Sequence, residues 1–133
     1  MKKNIKHYLS YLTKRSSPNE IEFSSLLNKI DFNIDEEYVN FIKIYNGGEG
    51  CFENGKCVLF WQIRDIINLN PYYKFIKECE NLFFIGSDGS SLGYAFNKQN
   101  EKIVSIDLLD IGVESPVQIA NSFEKFLAYL SKD

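Results

Sequence analysis

The sequence predicts an α+β protein with N-terminal helices, a central antiparallel β-sheet meander, and a C-terminal helix packed on the sheet. Two observations lead to this class. Near both ends of the chain, apolar residues recur with the 3.6-residue period of a helix. In the middle, short apolar runs alternate with turn residues such as Gly and Asn, which is typical of antiparallel strands. Helices placed around such a sheet define the α+β class.

The composition fits one folded domain spanning residues 1–133. A chain of this length has a common domain size, and its 44% hydrophobic content can form a core without metal or disulfides. The net charge is −3 and the basic residues are scattered, whereas nucleic-acid binders present a basic face, so no nucleic-acid partner is predicted. No apolar stretch has the length of a transmembrane helix or a signal peptide. We therefore expect a cytoplasmic protein with no membrane partner.

The three cysteines do not have the spacing of a metal site. Cys51, Cys57 and Cys79 form no C-x-x-C pair, and the single histidine, His7, is far away in sequence. An odd and sparse set of cysteines suits a reducing compartment, where a buried cysteine packs as a small apolar residue. No metal and no other cofactor is predicted.

Three helices are predicted in the N-terminal third of the chain. The apolar stripe of the first covers residues 5–12, and Ser16-Ser17-Pro18 breaks this helix. Ser17 is the predicted cap of the second helix, with Pro18 in its first turn. The third begins near Asn33, in the cap position, and stops at Asn46-Gly47-Gly48, because glycine readily adopts the left-handed conformation of helix C-caps. The three apolar stripes are Ile5, Tyr8, Leu9 and Leu12; Phe23, Leu26, Leu27 and Ile30; and Tyr38, Phe41, Ile42 and Tyr45.

Four strands and two further helices are predicted beyond residue 56. The strands cover residues 57–61, 82–85, 93–96 and 103–106, and short turns join the last three into a meander. A short helix over residues 63–70 is closed by Pro71. The final helix starts at Asn121 or Ser122 and buries Phe123, Phe126, Leu127 and Leu130.

Two segments resemble catalytic motifs, but their context favours other interpretations. Residues 50–57 approach the phosphate-binding pattern G-x-x-x-x-G-K-[ST], but Cys57 replaces the hydroxyl residue that holds magnesium, and a helix precedes the segment where a strand is required. Residues 89–93 match G-x-S-x-G with Ser91 as nucleophile, but that fold requires a histidine after the serine, and His7 precedes it. We interpret the first segment as a hairpin or loop and the second as a turn between strands.

Two groups of acidic residues could in principle supply an acid–base pair. Asp35, Glu36 and Glu37 lie in the first turn of a predicted helix, where the helix dipole stabilises negative charge. Asp107 and Asp110 follow a predicted strand and have no identifiable partner. The sequence therefore predicts a protein that is not an enzyme.

Three segments in order carry a family resemblance. The first is the helix over residues 38–45 with its stop at Asn46-Gly47-Gly48. The second is Ile85-Gly86-Ser87-Asp88-Gly89, followed by residues 93–97, and the third is residues 119–127, with Ser122 and Phe123 at its centre. Together they resemble the SUKH superfamily (Smi/Knr-like domain, bacterial immunity-protein type) over residues 20–131. The resemblance implies the fold of that superfamily.

The residues that carry the resemblance lie where turns and core packing require them. We therefore assign structural roles to Asn46, Gly47, Gly48, Gly86, Ser87, Asp88, Gly89, Ser122 and Phe123. The resemblance implies function through protein binding, because bacterial members are immunity proteins against secreted toxins, many of them nucleases. The implied partner is a cognate toxin domain, and a monomer is the favoured state. Fungal members imply an alternative, a regulatory or scaffold protein of cell-wall assembly or signalling.

Four residues are the predicted partner contacts: Glu49, Phe52, Glu53 and Trp61. Aromatic side chains are common interface anchors, and nearby acidic groups suit a basic toxin. The alternative interpretation is that Phe52 and Trp61 belong to the core.

Overall fold

In residues 1–132, which the computed structural model describes, seven strands form one antiparallel sheet. Every strand pairs with the next one along the chain, so the predicted meander is confirmed. The first, second and last strands were not predicted from the sequence. The strands are β1 (Leu12–Lys14), β2 (Gly48–Cys51), β3 (Cys57–Phe60), β4 (Leu82–Ser87), β5 (Leu92–Asn97), β6 (Ile103–Asp107) and β7 (Val117–Ala120).

Helices flank this sheet, and the α+β class is confirmed. The C-terminal helix packs on the sheet through Phe126, whose ring centroid lies 4.9 Å from that of Tyr94 in β5. No helix within residues 1–132 combines the length and apolar character needed to span a bilayer. The helices are α1 (Lys3–Leu9), α2 (Glu20–Lys29), α3 (Glu36–Tyr45), α4 (Ile63–Tyr73) and α5 (Phe123–Ser131), with a 3₁₀ turn at Lys77–Cys79.

The first helix is shorter than predicted. α1 ends at Leu9, and Leu12 instead opens β1, where it pairs with Gly50 of β2. Leu12 is buried in this strand. Because a buried leucine fits a helix stripe and a strand equally well, periodicity alone does not separate the two. Pairing with a distant part of the chain decides the conformation.

Two helix caps differ from the predicted ones. Asn19, not Ser17, caps α2: its side chain accepts the N–H of Glu22, and the Glu22 side chain accepts the Asn19 N–H. The hydroxyl of Ser17 donates to a backbone carbonyl of α3 instead. Asp35, not Asn33, caps α3 by accepting a backbone N–H of its first turn.

α4 protects an open edge of β4. The predicted stop at Pro71 is wrong, because this proline lies in the last turn, where its missing N–H removes a single helical hydrogen bond. β3 pairs with β4 only through Leu59 and Phe60, so the first half of β4 has no neighbouring strand on that side. Asn70 supplies the partners: its Oδ1 accepts the Phe84 N–H at 2.7 Å, and its Nδ2 donates to the Phe84 carbonyl at 3.0 Å. A side-chain amide thus stands in for a strand residue.

The two faces of the sheet are covered differently. Because side chains alternate along a strand, Phe60, Tyr94 and Phe96 lie on one face, here called the helical face. Trp61 and Phe84 lie on the opposite face, here called the loop-covered face.

Aromatic rings from α3 and α5 fill the helical face. Phe41 of α3 and Phe123 of α5 place their ring centroids 5.1 Å and 5.7 Å from that of Phe60. Tyr38 lies 5.3 Å from Phe96 in an edge-on arrangement. All five side chains are fully buried. Such aromatic pairs add to the free energy of burial through their edge-to-face geometry.

Two irregular connections and the last residue of α4 lie on the other face, where the ring centroid of Tyr73 is 4.4 Å from that of Phe84. The Leu108 side chain comes within 3.1 Å of where a Cβ on Gly93 would lie, so it packs directly on β5. A Cβ on Gly112 would lie 3.9 Å from Oε2 of Glu78, which shows that the two connections meet. They are the α4–β4 segment (residues 74–81) and the β6–β7 segment (residues 108–116).

Cys51 and Cys57 form a disulfide between β2 and β3. The two residues are direct partners in the antiparallel register, with Cα atoms 3.9 Å apart, and both are exposed. The expectation of buried cysteines that act as small apolar residues is therefore wrong for this pair, because the hairpin register brings the two side chains together at the surface. Cys79 is free and buried, as expected.

Candidate functional site

The four predicted partner contacts lie on or beside the β2–β3 hairpin. Glu49 and Glu53 are exposed, whereas Phe52 and Trp61 are only 4% and 9% exposed and belong to the core. The burial agrees with the alternative interpretation of the two aromatics. Neither ring offers contact area to a partner without local rearrangement, so the two acids are the members of this set that reach the surface.

Tyr11 connects two of these residues. Its hydroxyl donates to Oε1 of Glu53 at 2.9 Å, and its ring centroid lies 5.5 Å from that of Phe52. The hydrogen bond to Glu53, together with desolvation, raises the pKa of Tyr11. Trp61 lies at the other end of β3, where it stacks on Phe84 with ring centroids 6.2 Å apart. The structure thus joins Phe52 and Glu53 through Tyr11 and places Trp61 elsewhere.

Asn46 and Gly47 form the junction between α3 and the sheet. Asn46 ends α3 in the left-handed conformation, with φ of 51°, and its Oδ1 accepts the Ile63 N–H at 2.9 Å. This bond holds the start of α4 against the end of α3. Gly47 has φ of +85°, and a Cβ there would lie 2.6 Å from the carbonyl oxygen of Phe60. These contacts support the structural roles assigned to both residues.

The β4–β5 turn is closed by its own side chains. The hydroxyl oxygen of Ser87 accepts the Gly89 N–H at 3.0 Å. Oδ1 of Asp88 accepts the N–H groups of Ser90 and Leu92 at 2.8 Å and 3.1 Å. The turn therefore needs these side chains for its backbone hydrogen bonds, which supports a structural role for the IGSDG segment.

A carboxylate of α3 also caps α5. Ser122 caps this helix through the N–H of Lys125, and Oδ2 of Asp35 accepts the Phe123 N–H at 2.7 Å. Asp35 thus bonds to the first turns of two helices at once. Its predicted position at a helix N-terminus is confirmed, and its second contact was not predicted.

The two motif-like segments occupy the positions predicted for them. Residues 50–57 form the β2–β3 hairpin, and residues 89–93 span the turn between β4 and β5. His7 is exposed on α1, where its ring lies beside Tyr8 and Tyr11. No three His, Cys, Asp or Glu side chains within residues 1–132 are grouped so that they could hold a metal ion.

Large apolar side chains are exposed near and on the two connections of the loop-covered face. Tyr72, in the last turn of α4, and Phe75, just after it, are 75% and 89% exposed. Leu109 and Val113 of the β6–β7 segment are 83% and 84% exposed. Exposed side chains of this size on two segments that lie beside each other are candidates for a protein-interaction site. The sequence analysis did not single out these residues.

A sequence signal for these residues exists. Leu109 and Val113 fall in a stretch between two strands that has neither a two-residue nor a 3.6-residue apolar period. An apolar residue that fits neither period is not predicted to lie on the buried face of a helix or a strand, so it is a candidate for exposure at the surface.

The comparisons with known proteins concern nearly the whole of this structure. A family model described as SMI1 / KNR4 family (SUKH-1) matches residues 17–129, from just before α2 to the last turns of α5. The matched range includes β2 to β7 and both connections of the loop-covered face. Among curated proteins, none matches the chain. Because the family model covers most of the sequence, the chain belongs to the SMI1 / KNR4 family (SUKH-1).

Proposed function

We propose that this protein is an immunity protein, which binds a cognate secreted toxin and neutralises it without catalysing a reaction. Membership of the SMI1 / KNR4 family (SUKH-1) supports a domain of the immunity-protein or Smi/Knr type. The observation that carries the proposal is the exposure of large apolar side chains on the two connections of the loop-covered face.

Folding of the chain alone does not bury these side chains. Phe75, Leu109 and Val113 each keep more than four fifths of their surface in water. Full burial of a side chain of this size is worth about 1.5–3 kcal/mol, so covering them with a partner is favourable. The contact between Gly112 and Glu78 joins the two connections, which allows one partner to cover side chains from both.

The charges near this surface favour a basic partner. The β6–β7 segment carries the exposed Asp110 and Glu114, whereas in the α4–β4 segment Lys74 and Lys77 are balanced by Glu78 and Glu80. The acids therefore outnumber the bases on the two connections, and the net charge of the chain is −3. Protein interfaces commonly have an apolar centre with a polar rim, and complementary charge raises the association rate and the specificity. A nuclease toxin suits this arrangement, because nucleic-acid binding requires a basic surface.

The hairpin acids are a second proposed contact. Glu49 and Glu53 are exposed on the β2–β3 hairpin and offer two acidic groups apart from those of the β6–β7 segment. Phe52, which belongs to the same predicted set, supports the hairpin from the core in this proposal, whereas Trp61 packs on Phe84 at the other end of β3. The hydrogen bond from Tyr11 holds Glu53 in place.

The first experiment is co-purification of the tagged protein from its native cells, followed by mass spectrometry. We expect one toxin domain in stoichiometric amount, and we expect the purified complex to lack the activity of the toxin. Recovery of a cell-wall or signalling complex would instead favour the regulatory or scaffold function. Recovery of no protein at all would contradict both functions.

The apolar surface is tested with the double variant Leu109→Ser and Val113→Ser. We expect this variant to lose at least roughly tenfold in affinity for the captured partner, since two apolar contacts are removed. Ile21→Ser is the control, because Ile21 is 80% exposed and lies in the first turn of α2, outside both connections. Equal loss in the control and the double variant would contradict the proposed surface, as would no loss in either.

A further inference from the structure

A hollow of about 380 Å³ opens at one end of the helical face. It lies between the β2–β3 hairpin, the β4–β5 turn and the last turns of α5, and we call it the hairpin hollow. The side chains used below are Lys56, Asp88, Leu92, Tyr94, Tyr129 and Leu130. Sites for small molecules have volumes of about 300 to 1,000 Å³, so the hairpin hollow is near the lower end and suits a single side chain.

Asp88 has one oxygen held by the backbone and one available. Oδ1 accepts the N–H groups of Ser90 and Leu92. Oδ2 makes no hydrogen bond or ion pair with any residue in the range 1–132. Because the turn fixes the carboxylate, a ligand that binds Oδ2 does not have to order this side chain first.

Two tyrosines complete the polar part of the hairpin hollow. Tyr94 is almost fully buried, and its hydroxyl makes no hydrogen bond with a residue in the described part of the chain. Burial, with contributions from the charges of Asp88 and Tyr129, raises the pKa of Tyr94 to about 12, so its phenol stays protonated at neutral pH. The hydroxyl is therefore a neutral group that can accept or donate a hydrogen bond.

The hairpin hollow already holds a cation at its rim. The ammonium nitrogen of Lys56 lies 5.2 Å from the centroid of the Tyr129 ring, which is a cation–π contact. Tyr129 is 40% exposed, so its ring is accessible to a second cation that displaces Lys56. A carboxylate oxygen, a phenol oxygen and an aromatic face are the groups that bind a guanidinium.

We propose that the hairpin hollow receives an arginine side chain of the partner protein. The guanidinium stacks on Tyr129 in place of Lys56 and donates to Oδ2 of Asp88 and to the hydroxyl of Tyr94. Leu92 and Leu130 contact the apolar stem of the arginine. That the arginine comes from a partner protein rests on the proposed binding function, whereas the recognition of a guanidinium does not.

The test is an NMR titration of the full chain with Nα-acetyl-arginine methylamide. We expect saturable shifts of the backbone amides of Asp88, Gly89 and Tyr129. The matched citrulline compound has the same shape without the charge, and we expect it to bind roughly tenfold more weakly, because a charged hydrogen bond is lost. Absence of saturable shifts, or equal binding of the two compounds, would overturn the proposal.

Three variants separate the hairpin hollow from a general charge effect. Asp88→Asn keeps an oxygen acceptor for the turn and removes the charge, so we expect roughly tenfold weaker arginine binding. Asp110→Asn makes the same change of net charge on the loop-covered side, and we expect no effect. Lys56→Ala removes the competing cation and should strengthen binding about twofold to fivefold. Unchanged binding in Asp88→Asn would contradict the assigned role.

The outcome is independent of the toxin experiment. If the arginine compound binds but no toxin is recovered from cells, the guanidinium site stands and the immunity function fails. If a toxin is recovered and the arginine compound does not bind, the immunity function stands and the arginine site fails.

Discussion

The two faces of the sheet differ in how completely their covering side chains are buried. On the helical face, rings from α3, α5 and β3 such as Phe41, Phe123 and Phe60 are fully buried against one another. On the loop-covered face, irregular connections bury some residues and leave others, such as Phe75 and Leu109, in water. A regular helix commits a whole stripe to the core, whereas an irregular segment can present side chains outward without losing core contacts. We infer that the packed rings of the helical face determine stability, and that a partner is bound by the loop-covered face and by the hairpin hollow at the open end of the helical face.

The largest expected effect is on the helical face. Phe123→Ala removes a fully buried ring that contacts Tyr38, Phe41 and Phe60, so we expect the free energy of unfolding to fall by about 3–5 kcal/mol. Phe75→Ala is the same change in chemistry at an 89% exposed position, and we expect a loss below about 0.5 kcal/mol. Urea denaturation measures both. Equal losses would contradict the division between the two faces.

The junction of α4 with β4 should show the next largest effect. Asn70→Ala leaves the N–H and carbonyl of Phe84 without their partners, so we expect a loss of about 2–3 kcal/mol. Amide hydrogen exchange at Phe84 should become faster than in the unchanged protein. Asn70→Asp keeps an acceptor for the N–H and removes the donor, so it should protect the Phe84 amide better than alanine does. Unchanged exchange in Asn70→Ala would show that β4 does not depend on this side chain.

The disulfide should contribute less than Asn70 to the free energy of unfolding. It closes a short loop between Cys51 and Cys57, and the entropy model for so short a loop gives about 2 kcal/mol as its contribution to stability. The register of β2 and β3 already restrains the hairpin, so we expect a loss at or below that value on reduction. Urea denaturation with and without reductant measures it. The double variant Cys51→Ser and Cys57→Ser should match the reduced protein and should not respond to reductant.

Residues with a single strong local preference were predictable from the sequence. The stripe of Tyr38, Phe41 and Ile42 and that of Phe123 and Phe126 have helical spacing, and the structure buries all five. The strands from β3 to β6 were predictable because turn residues separate their apolar runs. β1 and β2 were not, because Leu12 fits a helix stripe and β2 is rich in glycine, so that only pairing with each other and with β3 defines them.

The candidate sites were harder to predict because they depend on distant parts of the chain. Burial of Trp61 depends on Phe84, and the hairpin hollow joins Lys56, Asp88 and Tyr129 from three elements. The disulfide had a local signal, since Cys51 and Cys57 are placed symmetrically about Asn54 at the hairpin turn.

The smallest expected change in stability is at the proposed interface itself. Leu109→Ser and Val113→Ser together should change the free energy of unfolding by less than about 0.5 kcal/mol, because both side chains are already more than four fifths exposed. Urea denaturation of the same double variant that is used for partner binding measures this directly. A loss of binding with unchanged stability would assign the two side chains to recognition. A loss above about 1.5 kcal/mol would instead show that these two side chains of the β6–β7 segment stabilise the fold. The loop-covered face would then contribute to stability, which contradicts the inferred difference between the two faces.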